Sequence, residues 1–372
     1  MAHPIVNLAE NISNIQTYGL VENWTEEQEI CEYEKTPYIE EKFYLIAVFG
    51  SFIMLFGIVT NSILLTVLLK KKLRETYLIY LAALSVSDIG LLIAYFMVFS
   101  VQIMYDYFEL LPLYFAWLYY IPYFYAFSRI MPLASSYLTV VCSAERFLEV
   151  IQVRYQIKII KVNQRRRYYV ICAILVFSFF FRIISIWDLE LEYRSNCTGF
   201  ESMGLTLTSL ARNNSYKQIY QLWTVQTVQI FFPFVILVVM NALTSMEWRR
   251  MTQEERRLSA SERSSRMRVS CRSARQMMIA IVTTYLISNA LNVVITLWEH
   301  ADRQFLLDHI EFYTYATDCV SLLVVLNSSL RLPIYYFSNW RIREQLNKMY
   351  RRICCCKSSR NRILYKKVLL KK

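Results

Sequence analysis

The sequence predicts an all-α fold: a seven-transmembrane helix bundle, N terminus outside, with a short amphipathic helix after the seventh span. Three observations predict it. Of 372 residues 56% are hydrophobic, the mean hydropathy is +0.29, and there are only 6 Gly and 7 Pro, a composition unsuited to turn-rich β architecture or to disorder. Seven stretches reach the roughly 20 mostly apolar residues that a spanning helix needs. The segments between them alternate in charge sign along the chain.

Taken in order, residues 1–42 form an acidic tail without the basic start and short apolar run of a cleavable signal. The first span is therefore expected to act as its own insertion signal. The spans follow at 43–69, 76–104, 113–147, 168–187, 220–246, 276–298 and 312–337, so that 43–337 is the transmembrane unit and 338–372 a basic tail. The third and seventh are the least clean, because each carries interior charge. Within 339–350, Trp340, Ile342, Leu346 and Met349 fall on or near one face, as in a helix lying on a membrane surface.

Cytoplasmic loops retain Lys and Arg. The tail plus the loops after spans two, four and six carry a net −13, and the opposite side a net +24. The tail is thus outside, and the basic total charge of +12 is a membrane signature. No continuous basic patch forms, which argues against nucleic-acid binding. Glycosylation sequons give an independent check. Asn11, Asn23, Asn196 and Asn213 all begin sequons on the outer side, while that at Asn327 lies inside span seven.

Of nine cysteines, only Cys31 and Cys197 lie on the oxidising face and are expected to pair. Cys142, Cys172 and Cys319 sit in spans, where Cys is usually a small packing residue. Cys354, Cys355 and Cys356 follow the surface helix and suit palmitoylation, with an unmodified cluster as the bland alternative. The histidines are His3, His300 and His309, and no phosphate loop is present, so no metal, cofactor or catalytic residue is expected.

Seven spans do not define a function; motifs do. Span one holds Gly57-Ile-Val-Thr-Asn61, span two Leu84-Ser-Val-Ser-Asp88, and the inner end of span three Glu145-Arg146-Phe147. Span five has Pro233 and Asn241, and span seven Asn327-Ser-Ser-Leu-Arg331-Leu-Pro-Ile-Tyr335. In this order the motifs resemble the rhodopsin-like (family A) G-protein-coupled receptors over roughly residues 43 to 350. Within that family the Asn-Ser-Ser run, Asn289 and Asn241 resemble invertebrate receptors for FMRFamide-like neuropeptides.

The resemblance implies a multi-pass plasma-membrane receptor, not an enzyme, whose partners are an extracellular peptide, a heterotrimeric G protein, receptor kinases and arrestin, and the lipid bilayer. It makes Glu145, Arg146, Asn241 and Tyr335 the G-protein switch. The Arg146 guanidinium would exchange between its neighbouring carboxylate and the docking partner. A helix-end Arg reaching lipid phosphate is the alternative.

Several departures from the family pattern carry information. Ile121 stands near the place of the usual span-three Cys, so Cys197 is expected to bond Cys31 and pin the tail over the pocket. An ungapped alignment puts Arg331 beside Asp88, where many members bind sodium. An intramembrane Arg costs roughly 2.5–3.5 kcal/mol on insertion scales and needs a partner. An Asp88–Arg331 pair near Ser135 is the expectation; a one-residue shift that aligns Pro333 and Tyr336 is the alternative. In span six Leu291 replaces the usual Pro and Asn289 the usual Trp.

Ser128 occupies the place of the aspartate that amine receptors need, and span seven has no lysine for a retinal Schiff base, so both classes are excluded. Ser128, Arg129, Arg182, Gln226, Asn292, Glu299 and Asp318 are the candidate ligand-binding residues. With the acidic rim of Asp302, Asp308 and Glu311, they suit a basic amidated peptide. The alternatives are an internal pair of Arg129 or Arg182 with Asp318, a small-molecule chemosensory ligand on the same fold, or, from another class, a seven-span channel or enzyme.

Overall fold

The computed structural model describes residues 31, 33, 35–70, 78–155, 163–257, 279–280, 282–298 and 309–351. The helices are α1 (Ile39–Leu68), α2 (Leu78–Tyr107), α3 (Leu111–Tyr155), α4 (Gln164–Arg182), α5 (Tyr216–Glu247, continuing to Arg257), α6 (Val282–Trp298), α7 (Ile310–Ser329), α8 (Arg331–Ser338) and α9 (residues 340–351). Among the described residues α1, α2, α4 and α5 are each long and apolar enough to cross a membrane, and α7 with α8 makes a fifth, broken span. Between α2 and α4, α3 runs unbroken through Pro122 and Pro132.

The bundle sorts its side chains by partner. Phe49, Phe52, Leu55, Phe56 and Val59 of α1 and Val176, Phe179 and Phe180 of α4 are exposed, as befits a face turned to lipid. Inward residues divide into two cores. The outer one gathers Leu92, Tyr95, Leu118, Ile121 and Tyr125; the inner one gathers Leu64, Leu81, Leu138, Tyr335 and, from α9, Ile342. Leu346 and Met349 pack on the inner core as well, so the amphipathic face of α9 closes the cytoplasmic end.

In lipid the helices have no hydrophobic drive to associate, and small residues let backbones meet. At Gly57 of α1 an added Cβ would lie 2.3 Å from Ser329 Oγ of α7. The span is bent there by 44° at Leu330. Pro333 lacks an N–H for the Ser329 carbonyl four residues back, and that carbonyl instead accepts from Thr60 Oγ at 3.3 Å, while Asn61 Nδ2 donates to the Ser328 carbonyl at 2.9 Å. The Gly57-to-Asn61 motif thus repairs the break in span seven.

One element lies outside the expected all-α description. Leu189–Tyr193 (β1) and Met203–Leu207 (β2) form an antiparallel hairpin between α4 and α5, with Leu191 opposite Leu205. The alternating Leu-Glu-Leu-Glu and Leu-Thr-Leu runs carry the period of two that a half-buried strand requires.

Candidate functional site

At the outer mouth, Cys31 is bonded to Cys197, with Cα atoms 5.5 Å apart. The segment that follows crosses the mouth. Tyr33 OH donates to Asp106 Oδ1 at 3.2 Å and the Thr36 N–H to Asp106 Oδ2 at 2.8 Å, both at the outer end of α2. Lys35 pairs with Glu109, and Tyr38 OH donates to Glu311 of α7. Burial, together with the Asp106 charge, raises the Tyr33 phenol above its ordinary value. The bond and charge of Lys35 hold the Glu109 carboxyl below the usual range, and Glu109 raises Lys35 in return.

The span-three anchor is a phenol. Ile121, near the usual Cys position, is buried in the outer core. Tyr114 OH donates to the Met203 carbonyl at 2.6 Å, fastening α3 to β2, and its ring meets Tyr33 and Phe200.

Beneath this cover, Arg129 (8% exposed) and Arg182 (2%) lie close enough for each charge to act on the other. Arg129 donates to Tyr125 OH and stacks its guanidinium 4.3 Å from the centre of that ring. Arg182 Nε and Nη2 make no hydrogen bond among the described residues. The acid in their field is Asp188, which accepts from Tyr216 OH at 2.8 Å. Asp318 is elsewhere: buried on α7, it feels Lys42 of α1, and its Oδ2 makes no hydrogen bond among the described residues. The internal pairing of Arg129 or Arg182 with Asp318 is thus replaced by two separate poles. Ser128 spends its hydroxyl on the Tyr125 carbonyl at 2.7 Å, Gln226 is buried on α5, and Glu299 lies outside the described residues.

Deeper, Asp88 is fully buried and Arg331 is 5% exposed, and Arg331 Nε contacts Asp88 Oδ2. Ser135 Oγ donates to Asp88 Oδ1 at 3.4 Å and accepts from Arg331 Nη2 at 3.1 Å. In this register Tyr335 is buried in the inner core, while Tyr336 turns outward to Asn347 Oδ1 at 3.3 Å. Against the pair lies a cavity of about 40 Å³, lined by Ser136, Gln229, Asn289, Asn292, Asn327 and Arg331 among others. Tyr285 OH links α6 to Ser136 Oγ of α3 at 3.1 Å.

At the inner end Glu145 binds a residue that the sequence reading had not paired with it. Arg167 of α4 donates through Nε to Glu145 Oε1 at 2.9 Å and Oε2 at 3.3 Å, and both residues are buried. The Arg146 side chain lies outside the described set, and Asn241 is half-buried on α5. Asn196 and Asn213 are exposed on the outer face; Asn11, Asn23, Cys354, Cys355 and Cys356 fall outside the described residues. Cys142 is buried, and Cys172 and Cys319 are exposed.

Two comparisons bear on this architecture. A family model described as serpentine type 7TM GPCR chemoreceptor Srw matches residues 47–353. An FMRFamide receptor of Drosophila melanogaster is 24% identical over 319 residues, which is 84% of this chain and 55% of that protein. The chain thus spans about half the length of the curated relative it matches.

Proposed function

This chain belongs to the serpentine type 7TM GPCR chemoreceptor family Srw, and from that premise we propose that it is a receptor for an extracellular, basic, amidated neuropeptide of the FMRFamide type. Binding would be relayed to a heterotrimeric G protein, with receptor kinases and arrestin acting on the Ser- and Arg-rich inner segments. The observation that carries this reading is the likeness to an FMRFamide receptor, which runs through 84% of the chain. The buried Asp318 and the acidic rim supply counter-charge for a basic peptide. Activation is a population shift, so the peptide must bind the signalling arrangement better than the resting one.

A second reading is a small-molecule chemosensory ligand, favoured by the family description and by the unsatisfied donors of buried Arg182. The two are separated by a calcium or cyclic-AMP assay in cells carrying promiscuous G proteins, challenged with a library of amidated neuropeptides. The expected result is a saturable response lost on Asp318→Asn and Glu299→Gln. Silence from a receptor shown to be at the cell surface would favour the small molecule.

A further inference from the structure

We propose that the cavity between α3, α5, α6 and α7 is a subsite for a primary carboxamide, the amidated end of the ligand; this deepens the peptide reading and rests on it. Size is the first argument. The open space of about 40 Å³ exceeds the roughly 10–15 Å³ that a single buried water fills, so a polar group larger than one water fits.

Chemistry is the second. Four of the lining side chains, Gln229, Asn289, Asn292 and Asn327, are themselves carboxamides, each with an acceptor oxygen and two N–H donors. Gln229 Oε1 is buried and accepts no hydrogen bond among the described residues. Asn289 commits Nδ2 to the Tyr285 carbonyl at 2.8 Å, and its oxygen keeps its acceptor capacity. The wall therefore both donates and accepts.

Charge is the third. The cation among the lining residues, Arg331, is already neutralised by Asp88. An entering carboxylate or ammonium would be buried without a counter-ion, which is strongly unfavourable. A neutral group with two donors and a two-fold acceptor meets no such penalty. The polar lining also continues outward: on α5 buried Gln226 lies one turn above Gln229, and on α6 Asn292 lies one turn above Asn289.

The test uses purified full-length receptor and three probes of one shape: benzamide, benzoate and benzylamine, each at millimolar concentration in a thermal-shift assay. The expected result is a rise in Tm with benzamide alone, abolished by Gln229→Leu and by Asn289→Leu. Should a leucine variant fail to fold, Asn289→Asp keeps the shape, adds a charge and should show the same loss. No shift with benzamide, an equal shift with benzoate, or a benzamide shift that survives these substitutions overturns the assignment.

A second arm applies FMRFamide and the same tetrapeptide with a free carboxylate to the cellular assay. A site built around such hydrogen bonds should favour the amide by at least about a hundredfold. A benzamide shift with no response to any peptide would keep the subsite and sink the peptide reading. Responses to both tetrapeptides within a factor of about three would keep the peptide reading and remove the subsite.

Discussion

Asp88 and Arg331 are each tolerable at bilayer depth because of the other. A single interhelical hydrogen bond in a membrane averages only about 0.6 kcal/mol, whereas stranding one member of a buried ion pair costs about 3–5 kcal/mol. Asp88→Asn and Arg331→Gln should therefore each lower surface expression more than the double substitution does, as read by flow cytometry on an outer epitope tag. Additive losses would refute the coupling. This pair was legible in the sequence, since an intramembrane arginine demands an acid and Asp88 was the candidate. Arg167 was hidden within Arg165-Arg166-Arg167, where it read as one more positive charge on the inner side. Only the packing of α3 on α4 reveals that its guanidinium is committed to Glu145. With Arg167→Gln, the Glu145 carboxylate becomes available to its neighbour Arg146, and basal signalling should fall; with Glu145→Gln it should rise. Cyclic-AMP or calcium levels without ligand, normalised to surface receptor, decide it, and a shift of the same sign in both would overturn the idea.

At the scale of elements, the spans were readable because apolar length is imposed by the bilayer. The helix-seven break, the hairpin and the crossing segment were read less completely. Pro333 entered the sequence reading only through the alternative register of span seven, and the 44° bend with its capping by Thr60 and Asn61 depends on a second helix. The hairpin alternation was present in Leu189–Tyr193, yet five residues are too few to outweigh a bundle of long helices. Lys42 and Asp188 looked like loop charges and prove to be buried against the poles of the outer site. The segment from Cys31 to Tyr38 is held partly by the exposed Lys35–Glu109 pair, and its pH dependence has a definite sign. Glu109 is lowered from 4.5, so its contribution is present above that value and lost as pH falls through its lowered one. Hydrogen exchange at the Thr36 amide, corrected for intrinsic rate, should accelerate below about pH 4.5. Glu109→Gln should reduce the acid-dependent step by the part that the Lys35 pair contributes.

At the scale of the whole molecule, two tethers locate its outer surface: the disulfide from the tail to the hairpin, and the Tyr114 phenol from α3 to β2. Together they hold a cover above the Arg129 and Asp318 poles, with the amide-lined cavity beneath. The Asp88 carboxylate already has its counter-ion in Arg331, so a sodium ion there would meet the repulsion of a buried guanidinium. Replacing sodium chloride by choline chloride should therefore leave both the Tm of the purified receptor and its agonist potency unchanged. A sodium-dependent shift would mean that Arg331 leaves Asp88. The ungapped alignment of span seven places Arg331 beside Asp88, and the one-residue alternative fits the same residues. In the structure Tyr335 turns into the inner core and Tyr336 outward to Asn347.

The Cys31–Cys197 bond joins residues 166 apart in the chain. At a synthesis rate of about 5–20 residues per second, Cys31 is made about eight to thirty-three seconds before Cys197, and it crosses within that interval, once the first span has been inserted. Three further crossings must be threaded through the membrane in that interval. Throughout it, the tail carries a thiol that can be captured by any neighbouring disulfide or oxidase. Closure of the outer cover therefore cannot precede the fourth crossing, and it can be complete before spans five to seven are made.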